Sequence, residues 1–320
     1  MEPTIEFESH RRFLRGLAYR MLGSVAEAED AVQDCWLRWR EVPHADIIEP
    51  RAFLAQTLTR LCFDRLRSAQ KQREHYVGVW LPEPWIDDPY SAQAGAEEMV
   101  TMAQDLEIAF LLVLQRLTPS ERAVFLLNEV FDWDFDAIAQ VLDRSAAACR
   151  QLASRARQQL AASVPTPDEQ SPKADKAGKA APLSAGRPRR GTSPPSPEQA
   201  SRIATAFAMA LQMGDVQALA DTLAQDVVFM ADGGGKVNSV PRPLLGADKV
   251  AQVLVGFARL WLREPGATRP ASINGMPGAV FHAADGSVVQ TLALEIAEGG
   301  RITAIYVMRN PDKLKHVPRA

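Results

Sequence analysis

No uninterrupted apolar run of signal-peptide or membrane-span length occurs in the 320 residues. The expectation is therefore a cytoplasmic protein without a membrane partner. Cysteine is scarce: Cys35, Cys62 and Cys149 are odd in number, far apart and outside any Cys-x-x-Cys or Cys/His cluster. That excludes a disulfide framework and indicates no metal site, leaving small buried thiols as the expectation. A glycine-rich phosphate cradle is missing too. "DGGGK", Asp232 to Lys236, invites that reading, but Met230 stands where a P-loop needs its first glycine, and Val237 where it needs Ser or Thr. Gly-x-Gly-x-x-Gly fails as well, because Asn238 occupies the third glycine position. No cofactor is implied, and no internal repeat is present.

What is present is enough apolar residue, 47%, for two or three packed domains. The net charge of −3 hides a segregated pattern. From Ser24 to Glu49 seven acids stand against Arg38 and Arg40, and from Arg51 to His75 six bases stand against Asp64 and Glu74. Tyr76 to Gln104 carries Glu83, Asp87, Asp88, Glu97 and Glu98 with no base, whereas Arg144 to Leu160 carries four arginines and no acid. Such blocks suit different partners, the basic ones nucleic acid.

Two stretches read as connections. Pro165 to Gln199 is rich in Pro, Ala, Ser and Gly and cannot bury enough surface to fold. The acidic stretch from Tyr76 includes "WLPEPWIDDP", whose three prolines oppose a continuous helix. The expected division is a domain over 1–75, a connector over 76–104, a domain over 105–163, a flexible linker over 164–199 and a domain over 200–320.

The first domain reads as helices. Phe7, Phe13, Leu14, Leu17, Ala18 and Met21 recur at helical spacing up to Gly23. "VAEAEDAVQDCWLRWR" sets Val32, Cys35, Trp36 and Trp39 on one side and an acidic stripe, Glu27, Asp30 and Asp34, on another. "PRAFLAQTLTRLCFDRLRSAQKQRE" buries Leu54, Leu58, Leu61, Cys62 and Leu66 and aligns Arg60, Asp64, Arg67 and Lys71 on a mostly basic face suited to phosphates.

The second domain opens on a capping box with proline at the first helical position, Thr118 to Glu121. A short helix, a tight turn at Asp143 and Arg144, and a helix capped by Ser145 follow. Cys149, Leu152, Ala153, Ala156 and Leu160 form the buried stripe of that last helix; Ala147, Arg150, Gln151, Ser154 and Arg157 lie opposite. Small and polar residues followed by arginines suit a recognition helix reading base edges in the major groove.

The order of these pieces over about residues 7–162 resembles the extracytoplasmic-function (ECF) sigma factors of bacterial RNA polymerase. "EAEDAVQDCWLRW" is similar to the region 2 helix that docks on the polymerase clamp, "PRAFLAQTLTRLCFDRLRSA" to the part that melts and reads the minus-10 element, and "LTPSERAVFLL" with "DFDAIAQVLDRSAAACRQLASRARQQL" to region 4, which reads the minus-35 element. The resemblance implies core RNA polymerase and promoter DNA as partners. It implies clamp contacts for Asp30, Gln33, Asp34 and Trp36, minus-10 contacts for Arg60, Asp64, Arg65 and Arg67, and minus-35 contacts for Arg150, Gln151, Ser154 and Arg155. Asp143 departs from the glycine common before the recognition helix, yet Asp tolerates the turn's dihedrals.

Residues 200–320 change character. Two amphipathic helices up to Gly214 and Asp226 precede strands expected at Val227–Ala231 and Lys236–Val240, a helix over "GADKVAQVLVGFARLWLRE", and strands near Ala279–Ala283, Ser287–Ala297 and Arg301–Met308. The expected fold is α+β with a curled antiparallel sheet, and it resembles the SnoaL-like cones of the nuclear transport factor 2-like superfamily; the whole chain is thus multidomain, two all-α sigma domains plus an α+β cone. Three strings, Trp80-Leu81-Pro82-Glu83-Pro84, Asp232-Gly233-Gly234-Gly235-Lys236 and Asn310-Pro311-Asp312-Lys313-Leu314, look like the ECF group whose C-terminal extension regulates the sigma factor in cis. Three glycines leave bare backbone that another segment can approach closely, so the loop is expected to dock the other two strings. The competing reading is a SnoaL-like enzyme or ligand-sensing domain tethered to a DNA-binding module, with Asp232 or His282 as the nearest general base and a small ligand in the pocket. The first reading assigns no catalytic residue.

Overall fold

The computed structural model describes residues 3–44, 47–73, 76–86, 107–162, 195–263 and 265–320, with the side chains of 68–73 and 162 left aside. Most of the linker and the acidic residues Asp87, Asp88, Glu97 and Glu98 lie outside these residues, as does the Lys71 side chain. The chain forms two compact units, one from residues 1–75 and 111–173, the other from 76–110 and 174–320. Residues 76–86 of the connector, the described part of it, fall in the second unit.

In the first unit α1 (Pro3–Leu22), α2 (Val25–Glu41) and α3 (Pro50–Arg73) pack on one another. Ser24 caps α2 by accepting from the Glu27 N–H. The apolar stripes meet as the spacing requires: Leu14, Leu17, Cys35, Leu54, Leu58 and Cys62 have no exposed surface. After α4 (Ile108–Leu114), the Thr118–Glu121 capping box starts α5 (Pro119–Phe125), which widens into a π-turn at Leu126–Val130. Asp134 caps α6 (Phe135–Leu142), and Asp143 ends it with φ of 53°, the left-handed turn that a short polar residue tolerates. Ser145 then caps α7 (Ala146–Ala162).

Arg122 ties the two halves of this unit together. Almost wholly buried, it donates to the carbonyls of Leu114 (2.9 Å), Leu117 (3.4 Å) and Met21. Arg51 stacks over Phe13 at 4.7 Å and Trp133 at 5.4 Å, while Phe13 meets Phe131 edge-on at 4.9 Å. Gln56 on α3 donates to the Gln140 carbonyl on α6 at 2.9 Å.

The second unit contains α8 (Pro197–Met213), α9 (Val216–Thr222), α10 (Ala247–Trp261) and a six-stranded sheet of order β2-β1-β6-β5-β4-β3. The strands are β1 (Leu223–Asp232), β2 (Leu244–Leu245), β3 (Gly266–Ile273), β4 (Met276–Ala283), β5 (Val288–Ile296) and β6 (Ile302–Met308). Ser196 caps α8, so the helix begins inside the stretch expected to be linker. The helices cover a core of Phe207, Leu219, Phe229, Val250, Leu254 and Ile305.

Three expectations for this unit are corrected. Lys236–Val240 is not a strand: Lys236 and Val237 donate back to the Gly233 carbonyl, curling the chain into a turn. The sheet is mixed, because β1 runs parallel to β6, with Phe229 opposite Ile305, while the other pairs are antiparallel. And β3 was not anticipated. It is an edge strand exposed along most of its length and contains Pro270, so it carries no inward alternation to read.

Candidate functional site

On the first unit the acidic stripe is solvent-facing but not free. Asp30 and Gln33 are exposed, and Trp36 is half-buried against Phe7 at 4.9 Å between ring centres. Asp34 accepts from Arg65 at 2.6 Å, and Asp30 lies 3.9 Å from the same guanidinium. Arg65, which the family resemblance grouped with Arg60, Asp64 and Arg67, thus lies beside the acidic stripe. Arg60, Asp64 and Arg67 are exposed, the last two paired at 3.2 Å. On α7, Arg150, Gln151, Ser154 and Arg155 are all exposed, opposite buried Cys149, Ala153 and Ala156. Arg150 lies 5.6 Å over the Phe135 ring, and Arg157 is held by Glu129 and Asn128.

On the second unit the structure brings the three short strings together around one carboxylate. Asp232 has no exposed surface. Its Oδ1 accepts from the Tyr76 hydroxyl at 2.5 Å and the Gly234 N–H at 3.0 Å, and its Oδ2 from the Leu81 N–H at 2.9 Å and Lys313 Nζ at 2.8 Å. Lys313 also donates to the Leu81 carbonyl at 2.5 Å and lies over the rings of Trp80 (4.3 Å) and Tyr76 (4.8 Å). A buried charge is tolerable only when paired and fully hydrogen-bonded, and both members meet that condition. Burial and the Asp232 carboxylate push the Tyr76 hydroxyl up, so it stays a donor.

The glycines permit this approach. Gly234 has φ of 60°, and a Cβ there would overlap the side-chain amide of Asn310; a Cβ on Gly235 would come 3.0 Å from that of Val77. Asn310 donates to the Tyr76 hydroxyl at 2.8 Å and accepts from the Asp312 N–H at 3.0 Å, opening the short turn Pro311–Leu314. Lys236 pairs with Asp312. Further along, Pro84 and Glu83 meet His316, whose Nε2 lies 2.8 Å from the Pro84 carbonyl. Trp85 exchanges two hydrogen bonds with Asn274, and Ile86 bridges Ile273 at the end of β3. Pro82 and Leu81 are held within this strap, Leu81 buried.

Asp232 therefore cannot serve as the general base of the competing reading, since both oxygens are committed to donors. His282 is buried beside a cavity of about 1870 Å³, its Nε2 lying 3.3 Å from the Pro318 carbonyl. The cavity is lined by Phe229, Leu254, Trp261, Phe281, Leu292 and Val307 among others. Among the described residues, no group of His, Cys, Asp and Glu is arranged to hold a metal ion, and no helix is long and apolar enough to cross a membrane.

Residues 7–72 match the Sigma-70 region 2 family and residues 107–160 the Sigma-70, region 4 family. Over 326 aligned residues the chain is 35% identical to the ECF RNA polymerase sigma factor SigJ of Mycobacterium tuberculosis, covering 98% of this chain and 93% of that protein. The chain belongs to the ECF RNA polymerase sigma factors. This sigma factor is also 30% identical over 314 residues to a probable ECF RNA polymerase sigma factor, SigI, of the same species, covering 96% and 93% of the two chains. The crystal structure of Mycobacterium tuberculosis SigJ matches it with a TM-score of 0.71 at 30% identity, covering 99% of this chain and all of that one. It is a promoter-specific transcription initiation factor of the sigma type, two all-α sigma regions followed by an α+β domain.

Sequence reasoning missed several members of the docking node in this sigma factor. Tyr76, Asn274 and His316 have no motif to mark them, being single residues whose partners lie far away in the chain. Arg122 was read only as part of a helix, although an arginine on an otherwise apolar helix face was a signal that a buried cation needed acceptors.

Proposed function

We propose that the SnoaL-like domain controls this sigma factor in cis by holding the connector that leads from region 2 to region 4. The carrying observation is the buried node in which Asp232 and Lys313 grip both backbone groups of Leu81. A connector whose Trp80 and Leu81 are held in this way is restrained from the path it takes through polymerase, and Asn310–Leu314 is the piece that closes the grip. The domain acts as a regulator and not as a catalyst. The division at 1–75, 76–104, 105–163, 164–199 and 200–320 describes functional segments: region 2, connector, region 4, linker and regulator. The protein works with core polymerase on chromosomal promoters, which sets its place in the cytoplasm.

In the same reading Asp30, Gln33, Asp34 and Trp36 meet the polymerase clamp, with Arg65 positioning Asp34. Arg60, Asp64, Arg65 and Arg67 face the minus-10 element, and Arg150, Gln151, Ser154 and Arg155 the minus-35 element. Support comes from the exposure of Asp30, Gln33, Arg60, Asp64, Arg67 and the four α7 residues, with Asp34, Trp36 and Arg65 half-buried beside them. Runoff transcription with core enzyme tests both halves. Truncation before Asn310 should raise promoter-dependent transcript, and truncation near Pro165 should lower it. Arg150→Ala should weaken promoter binding by about 1–3 kcal/mol with relaxed selectivity at one or two minus-35 positions. Arg67→Ala should weaken binding uniformly across sequences. Unchanged transcription after the short truncation would refute cis control, and equal losses on specific and random DNA for both arginine variants would refute base reading.

A further inference from the structure

Promoter recognition leaves the cavity of the second unit unexplained. At about 1870 Å³ it exceeds the roughly 300–1,000 Å³ of ordinary small-molecule sites, and its aromatic and aliphatic wall suits a long apolar body. Its charges are lopsided: Arg263, Arg269, Arg309 and Arg319 line it against Glu107 and Glu295. Glu295 is already committed, accepting from the Tyr306 hydroxyl at 2.8 Å, and burial pushes its carboxyl up toward the neutral form. The arginines are not equivalent either. Arg263, Arg269 and Arg319 are exposed to water. Arg309 is half-buried, its Nε is buried without a hydrogen-bond partner, and its Nη1 donates to the Asn238 carbonyl. Among the described residues no carboxylate pairs with it.

A desolvated guanidinium with an unused N–H and no counter-ion is costly, and the cost falls when an anion reaches it. The planar fork of Arg matches a carboxylate, and a single cation calls for a single negative charge. We propose that the cavity binds a long-chain carboxylic acid, with the carboxylate on Arg309 Nε–H and the tail along the apolar wall. The site concerns the cavity only and does not depend on how the strap is used.

The test is calorimetric titration of the full-length protein with tetradecanoate and with 1-tetradecanol, each below its aggregation concentration. Tetradecanoate should saturate at one per chain and bind at least about tenfold more tightly than the alcohol, the difference expected of a hydrogen bond to a charged group. Arg309→Met should bring acid and alcohol to within about twofold of each other by removing that charge-assisted bond. Leu254→Trp, which fills the wall, should abolish both. Absence of saturable binding of tetradecanoate, or equal affinity for acid and alcohol in the unaltered protein, overturns the proposal. Neither of those outcomes depends on whether a variant folds.

Discussion

Lys313 and Asp232 form an ion pair at 2.8 Å in which the carboxylate has no exposure and the lysine side chain 11%. The pair is separated by 81 residues in sequence, and it encloses the backbone of Leu81 from both sides. Lys313→Met should leave a buried carboxylate with only neutral donors and lower the unfolding free energy by about 3–5 kcal/mol. Asp232→Leu with Lys313→Met should cost less than Lys313→Met by itself, because no charge is then stranded. Chemical denaturation of the three proteins decides this; an unchanged midpoint for Lys313→Met would show that the node contributes nothing.

Two glycines should respond in opposite directions. Gly234→Ala places a Cβ on the Asn310 amide at a backbone φ of 60° and should destabilise by more than about 1 kcal/mol. Gly256→Ala, within α10 and with nothing within 4 Å of the added Cβ, should stabilise by about 0.5–1 kcal/mol. Melting temperatures measured side by side provide the check.

Reversing the acidic stripe, Asp30→Arg with Asp34→Arg, should abolish copurification with core polymerase at moderate salt while helicity by circular dichroism is retained. Asp34→Arg also sets a cation against Arg65. Arg65→Ala, by contrast, should cost less than about 1 kcal/mol of stability, since its partners are half-exposed or more. Retained polymerase binding in the double variant would remove the clamp assignment.

Burial pushes the Cys35 and Cys62 thiols from the usual 9.0 up to about 12. The folded state therefore holds these protons more tightly than the unfolded state does. The stability this contributes is complete below pH 9 and is lost as pH rises from 9 toward 12. Urea midpoints should fall over that window, and less steeply in Cys35→Ala with Cys62→Ala. Both thiols should react with a disulfide reagent at pH 8 only as the protein unfolds.

Periodicity carried much of the reading because helices of this protein are amphipathic over whole turns. The stripe through Leu54, Leu58, Leu61, Cys62 and Leu66 is buried as spaced, and the Thr118 and Ser145 caps stand where their side chains can accept N–H groups. The glycine run at 233–235 announced a close backbone approach for the same local reason: a missing Cβ is visible in sequence. Edge strand β3 was not legible, since an exposed strand with Pro270 has neither alternation nor apolar content, and Lys236–Val240 looked like a strand although the chain turns back on Gly233.

Sequence by itself thus determined the helices, their caps, the polar faces of region 2 and region 4, and the loop that lacks side chains. Those features depend on residues within a few positions of each other, where spacing and dihedral preference act directly. Tertiary structure decided that Arg65 belongs to the acidic stripe, that Arg122 staples region 4 to the Met21 carbonyl, that β1 lies parallel to β6, and that Tyr76, Leu81, Asp232, Asn310 and Lys313 converge. Each of these is a pairing between residues dozens to hundreds of positions apart. Hydrogen-bond satisfaction of buried charges selects such partners in space, and a linear pattern carries no record of that choice.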